Sequence, residues 1–264
     1  FKKQIARIFK YKFSYISYVL AKFGILRKNQ FLSKFGLVNM GIREIKTALF
    51  LIDNLKEGDV FYDIGANQGF FTVLIDKCFD KIEIHSFEPI PQTFNILKNN
   101  SFKKSNKIFL NNLALSNYNG ELEFNISSKT FLSGSTTVID DFADKFLKSY
   151  TKIKAQTTTL DDYIKTHNPP TLIKMDVEGS EGLIIDGGKE LFSNFSPIIA
   201  IEICTGDLGL NYSLKAALKL VDLGYKIFYI DDKTNDLCEI TIQGLKQFIE
   251  TQQDIGEDNF VFKK

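Results

Sequence analysis

The stretch Asp63-Ile64-Gly65-Ala66-Asn67-Gln68-Gly69 constrains the fold of this chain more than any other. The apolar run Val60-Phe61-Tyr62 precedes it and reads as a buried strand. Phe70-Phe71-Thr72-Val73-Leu74-Ile75 follows and reads as a helix. A strand, a tight glycine turn and a helix form the opening unit of a nucleotide-binding α/β domain. The glycines let the backbone come close to a ligand, and Asp63 falls where the strand ends. Glu88 follows Gly69 by 19 residues, within Ile84-His85-Ser86-Phe87-Glu88-Pro89. An acid at the end of a second strand is placed to accept hydrogen bonds from two ribose hydroxyls.

From residue 59 onward the pattern alternates between strand and helix. Strands are expected at 59–63, 82–87, 107–113, 171–175, 197–203, 225–230 and 259–263, and helices at 69–79, 91–100, 180–190 and 213–223. That alternation predicts an α/β fold, a mainly parallel sheet with helices on both faces. Pro91 suits the first turn of its helix, and Ser213 suits a cap for the helix that begins at Leu214. Between the third and fourth strands the pattern changes. Asn117-Tyr118-Asn119-Gly120 is a turn, residues 121–126 alternate like an exposed strand, and 127–137 is a polar loop. Residues 152–158 read as another strand, and Thr159 begins a capped helical turn.

The 264 residues suffice for one α/β domain with additions. Near-balanced charge, 33 basic against 32 acidic residues, hides an asymmetry: residues 1–43 hold ten Lys or Arg and no Asp or Glu. The expected organisation is therefore a basic helical extension over 1–45 and a core domain over 46–264. Aromatics interleave the lysines, as in an amphipathic helix that lies on anionic lipid. A helical cap that packs its apolar side on the domain accounts for the same pattern. Nothing else in the chain is basic enough for a continuous nucleic-acid track, so no nucleic-acid partner is expected. The three cysteines follow no metal or redox spacing and suggest a reducing compartment. No apolar run approaches the roughly 20 residues of a membrane span. The expected location is the cytoplasm, with contact at the inner face of a membrane if residues 1–43 bind lipid. Phe1 rather than Met at the start suggests that the native start lies upstream.

A second strand-turn-helix signal is Ile173-Lys174-Met175-Asp176-Val177-Glu178-Gly179-Ser180-Glu181. In open parallel sheets, ligands bind beyond the carboxyl ends of the strands. Asp63, Glu88, Asp176, Glu178 and Glu202 all fall at or just after such ends. Each acid alone suits a cap or a surface role, whereas the set around one crevice points to a site. A nicotinamide dehydrogenase would carry G-x-G-x-x-G and rest a pyrophosphate on the helix amino end. Here residue 67 is Asn, and the acid at Asp63 would repel pyrophosphate, which favours a cationic ligand. Asn168-Pro169-Pro170-Thr171 resembles a motif of amino-directed nucleic-acid methyltransferases, but it precedes its strand and lacks the terminal aromatic, so it reads as a turn.

The glycine turn, Phe87-Glu88-Pro89, Ala114-Leu115-Ser116 with Gly120, Thr159-Leu160-Asp161-Asp162, and the segment from Ile173 to Glu181 together resemble the FkbM-type methyltransferases. The resemblance covers about residues 55–264 and keeps the family's motif order. It implies a class I, Rossmann-like sheet of seven strands with an antiparallel last strand. It also implies S-adenosylmethionine as cofactor, and a hydroxyl of a sugar, glycan or activated sugar precursor as acceptor. Carried over residue by residue, it implies cofactor contacts at Asp63, Gly65, Ala66, Asn67, Gly69, Phe70, Glu88, Pro89, Asn112 and Asp176. Among these, Asp63 would hold the ammonium directly or through water, Glu88 the ribose diol, and Asn112 would lie near the adenine. The catalytic candidates are Asp176, Glu178 and Glu202, with Asp176 nearest the cofactor by topology. Paired carboxylates can hold Mg²⁺ with waters, although their spacing does not require it. Relatives often carry a histidine after the fifth-strand acid; here that position reads Ile203-Cys204-Thr205-Gly206. His85 reads as a packed strand residue and His167 as solvated. The loop 127–137 and the basic segment are the expected acceptor contacts. An N-methyltransferase acting on RNA or protein, and a non-catalytic module that binds the cofactor, remain as alternatives. Nothing in the sequence fixes the oligomeric state.

Overall fold

A computed structural model describes residues 42–101, 106–127, 136–147, 149–231, 234, 236–251 and 257–264. Residues 1–41, which hold most of the basic extension, and residues 128–135 of the polar loop lie outside the described residues. Helix α1 (Ile42–Asn54) leads into β1 (Val60–Ile64), α2 (Phe70–Cys78), β2 (Glu83–Phe87), α3 (Pro91–Asn100) and β3 (Lys107–Asn111). An insertion follows: β4 (Ala114–Leu115), β5 (Gly120–Ser127), β6 (Thr136–Thr137), α4 (Asp140–Phe146) and β7 (Tyr150–Thr158). Then come α5 (Leu160–Tyr163), β8 (Leu172–Met175), α6 (Glu181–Asp186), α7 (Lys189–Asn194) and β9 (Ile198–Cys204). The chain ends with α8 (Gly206–Leu208), a π-helical turn (Gly209–Ser213), α9 (Leu214–Asp222), β10 (Lys226–Ile230), β11 (Leu237–Ile240), α10 (Ile242–Thr251) and β12 (Glu257–Lys263).

The main sheet runs β11-β10-β12-β9-β8-β1-β2-β3. Strands β1, β2, β3, β8 and β9 pair in parallel, and β12 is antiparallel to both β9 and β10. The seven expected strands are all present, and β11 adds an eighth, antiparallel to β10 at the edge. Successive residues alternate between two cores. Tyr62, Ile64, Ile173, Met175, Ile199 and Ile201 enter one, whereas Phe61, Ile84, Leu172, Ala200 and Val261 enter the other. Burial on both faces is what a sheet covered by crossover helices requires. Strand order reverses at β1, whose neighbours are β2 and β8, so a crevice opens beyond the carboxyl ends there.

Several expected elements shift. The helix expected at 180–190 breaks at Gly187 and Gly188. A Cβ on Gly187 would lie 2.0 Å from the Ser116 carbonyl oxygen, so the helix end packs directly on the backbone after β4. The Asp161 carboxylate accepts from the Glu190 and Leu191 amides at 3.1 and 2.9 Å and restarts the helix as α7. Ser213 does not cap α9. It is helical itself, and its hydroxyl accepts from the Cys204 amide at 3.1 Å. Thr159 caps α5 as expected, accepting from the Asp162 amide at 3.0 Å. The expected domain boundary at residue 45 falls inside α1, whose Phe50 and Leu51 are buried in the core. Among the described residues no helix is long and apolar enough to cross a membrane.

Candidate active site

The carboxyl ends of β1, β2, β8 and β9 border a cleft of about 240 Å³. Its floor is the β1–α2 turn. Gly65 has φ +77°, and a Cβ there would lie 1.9 Å from the Asp176 carbonyl oxygen, so only glycine lets the two strand ends approach. The Gly65 and Ala66 amides both donate to the Phe87 carbonyl, at 3.1 and 2.9 Å, and tie the turn to β2. Asn67, also left-handed at φ +49°, aims its amide at Glu88 Oε2, 3.0 Å away. Gly69 (φ +90°) opens α2 in a space that Leu97 would deny to a Cβ.

Glu88 is buried, and its Oε1 accepts from the Ile90 amide at 2.9 Å. Burial outweighs the two amide hydrogen bonds and pushes its carboxyl up to about 7. Asp63 lies beneath the turn, fully buried. Its Oδ2 accepts from the Thr72 amide (2.9 Å) and hydroxyl (2.6 Å), and its Oδ1 has no hydrogen-bond partner among the described residues. Burial raises its carboxyl also, against the pull of Lys174.

Asp176 follows β8 directly and borders the cleft with Glu178 and Glu202. Its Oδ2 meets the Lys174 ammonium at 2.5 Å. Burial would push the Asp176 carboxyl up, but Lys174 and a hydrogen bond with Glu202 hold it below the usual carboxylate range. Glu178 has left-handed backbone (φ +51°), and its carbonyl accepts from the Thr137 hydroxyl at 2.8 Å. Strand β6 of the insertion thereby pins this turn. Leu122, Phe124, Thr136 and Val138 of the insertion also line the cleft.

The structure thus gathers Gly65, Asn67, Glu88, Pro89, Asp176, Glu178 and Glu202 on the cleft wall. It separates others from it. Asp63 sits below the floor. Asn112 spends its side-chain amide on the Glu88 and Pro89 carbonyls, each at 2.9 Å, and neighbouring Leu113 borders the cleft instead. Ala66 is buried, Gly69 opens α2, and Phe70 packs edge-on against Phe71. His85 is packed as expected, hydrogen-bonded to Tyr163 and Glu83. His167 is half-buried rather than solvated, stacked on Tyr163 with ring centroids 4.1 Å apart. Sequence reasoning missed Lys174 and assigned no role to Glu181. Lys174 is legible as the single charge inside the apolar strand Leu172–Met175. Glu181 is buried, with Oε2 unpartnered among the described residues and a carboxyl that burial raises to about 7. No group of three or more His, Cys, Asp or Glu with metal-site geometry occurs among the described residues.

The electrostatics favour a cationic ligand. Glu88, Asp176, Glu178 and Glu202 border the cleft, and no Lys, Arg or His lines it among the described residues. Lys174 is buried beneath and already paired with Asp176. A pyrophosphate here would meet carboxylates, whereas a sulfonium or ammonium would be attracted.

Comparison with known proteins adds the following. Residues 63–227 match the family model described as the methyltransferase FkbM domain. The hexuronic acid methyltransferase AglP of Haloferax volcanii is 26% identical over 163 residues, covering 59% of this chain and 60% of that protein. A solved FkbM methyltransferase from Methylobacillus flagellatus aligns with a TM-score of 0.48 at 16% identity, over 82% of this chain and 47% of the other. A precorrin-6y C5,15-methyltransferase from Geobacter metallireducens aligns with a TM-score of 0.45 at 14% identity, over 86% and 90%. The match therefore spans less than two thirds of AglP and about half of the M. flagellatus chain.

Proposed function

The chain belongs to the FkbM methyltransferase family, and we propose that it moves a methyl group from S-adenosylmethionine to a hydroxyl of a sugar, glycan or activated sugar precursor. The carrying observation is the acid-rich cleft at the strand ends, with Glu88 on its wall and a glycine turn as its floor. Three features fit the cofactor. Each Glu88 oxygen accepts one backbone amide and keeps a lone pair for a ribose hydroxyl. Asp63 Oδ1 is a buried acceptor with no protein partner among the described residues, suited to an ammonium reached through water. The excess of carboxylates suits the positive sulfonium.

When bound, S-adenosylmethionine supplies an electrophilic methyl group. The chain's part is to align an acceptor hydroxyl with it and to take the proton. In this reading the Asp176 carboxylate would hold the acceptor hydroxyl and take its proton as the methyl group is transferred. Glu178 and Glu202 orient the acceptor. The name of the H. volcanii relative supports a sugar as that acceptor. The basic charge of residues 1–43 suits an acceptor carried on phosphate or lipid.

Calorimetric titration with S-adenosylhomocysteine tests the cofactor half. The wild-type protein should bind it, and Glu88→Ala should weaken binding by about 1.5–3 kcal/mol, the worth of hydrogen bonds to a charged acceptor. A folded wild-type protein that binds none overturns the proposal.

A further inference from the structure

Lys174 is the least expected side chain in the main sheet. It sits in a four-residue strand whose other members, Leu172, Ile173 and Met175, are buried, and it is itself 3% exposed. A buried ammonium without counter-charge would lose its proton. Here the register places Asp63 of β1 directly beside Lys174. Its Nζ meets Asp176 Oδ2 at 2.5 Å and lies 5.0 Å from the centre of the Phe71 ring on α2. Asp63, which lies under the cofactor turn, Asp176, which borders the cleft, and Glu202 on β9 all favour its charged form.

We propose that Lys174 is a positioning residue that holds Asp176 ionised and aimed into the cleft, and that links this acceptor side to Asp63 on the cofactor side. The proposal rests on the reading of Asp176 as the group that takes the acceptor's proton. Glu202 on β9 is hydrogen-bonded to Asp176, and the Asp176 charge in turn raises the carboxyls of Asp63 on β1, Glu88 at the end of β2 and Glu181 at the start of α6. All of these are carboxyls, and Lys174 is the one cation in the set. Without Lys174, burial would favour a protonated Asp176, which cannot accept a proton. The side chain does not touch the cleft, so it acts only through its partners.

Two measurements on the full chain separate this role from plain packing. In the ligand-free protein, carbon-13 NMR titration of the Asp176 carboxyl, assigned with Asp176→Asn, should show a midpoint below the ordinary carboxylate range. Lys174→Gln should move it up by at least one pH unit, and Lys174→Arg should keep it low. In methyl transfer, the acidic limb of the kcat/KM profile should move up in Lys174→Gln and return in Lys174→Arg. Should Lys174→Gln fail to fold, Lys174→Gln with Asp63→Asn removes the buried charge together with one counter-charge and is read the same way. An Asp176 midpoint that does not respond to loss of Lys174 overturns the proposal, whatever the activity. An Asp176 midpoint that shifts while the pH profile stays fixed overturns instead the assignment of Asp176 as proton acceptor.

Discussion

Glu88 and Glu181 are two buried carboxyls raised by the same cause to about 7, yet their surroundings differ. Glu88 borders the cleft, so ionisation and ligand binding are coupled there. A diol donates two hydrogen bonds best to a carboxylate, so affinity for S-adenosylhomocysteine should rise by up to about tenfold between pH 6 and pH 8. Glu88→Gln should flatten that rise, which calorimetry at the two pH values checks. Glu181 Oε1 instead faces the Val177 and Gly179 amides at 3.3 and 3.4 Å, and its effect falls on stability. Its folded-state value lies above its unfolded one, so the folded form binds the proton more tightly. Stability therefore falls as pH rises from about 4.5 to about 7, by up to about 3 kcal/mol. Urea unfolding at pH 5 and pH 8 should show a smaller difference between the two pH values for Glu181→Gln than for wild type. The acids were legible as a set because each lies near or just after the carboxyl end of a strand. Their separate environments were not. Burial of Asp63 below the floor and the pairing of Asp176 with Lys174 depend on neighbours distant in sequence.

At the scale of elements, the β1–α2 turn is the part most tightly specified by its residues. Gly65→Ala would add a Cβ 1.9 Å from the Asp176 carbonyl oxygen, at a backbone conformation costing a side chain about 1–2 kcal/mol. The variant should lower the midpoint of thermal unfolding and weaken cofactor binding, because the turn and Asp176 would be pushed apart. Long strands and helices were readable from their periodicity, and β1, β2, β3, β8, β9, β10 and β12 all lie within a few residues of expectation. Two-residue strands such as β4 and β6 carry no period to read, and they form because β7 and β5 offer open edges. Helix α10 has apolar residues at helical spacing, Ile242, Leu245, Phe248 and Ile249, yet is not among the expected helices. The helix over 180–190 failed at Gly187, where contact with the Ser116 backbone, not local propensity, decides.

Across the whole molecule, the order β3-β2-β1-β8-β9-β12-β10 creates one switch point, and the acids collect beyond it. The insertion between β3 and β8 adds Leu122, Phe124, Thr136 and Val138, all apolar or uncharged, to the cleft lining. The class of fold was legible because motif order reports strand order. The proposed acceptor was legible only through the family resemblance, because no residue spacing in the sequence specifies it. Transfer of labelled methyl from S-adenosylmethionine to separate sugar, RNA and protein fractions tests the central claim directly. Label should enter the sugar fraction on oxygen, and Asp176→Asn should lower transfer more than it lowers cofactor affinity. Label found only in RNA or protein, or none at all from a folded protein that binds the cofactor, would contradict a sugar hydroxyl as the acceptor.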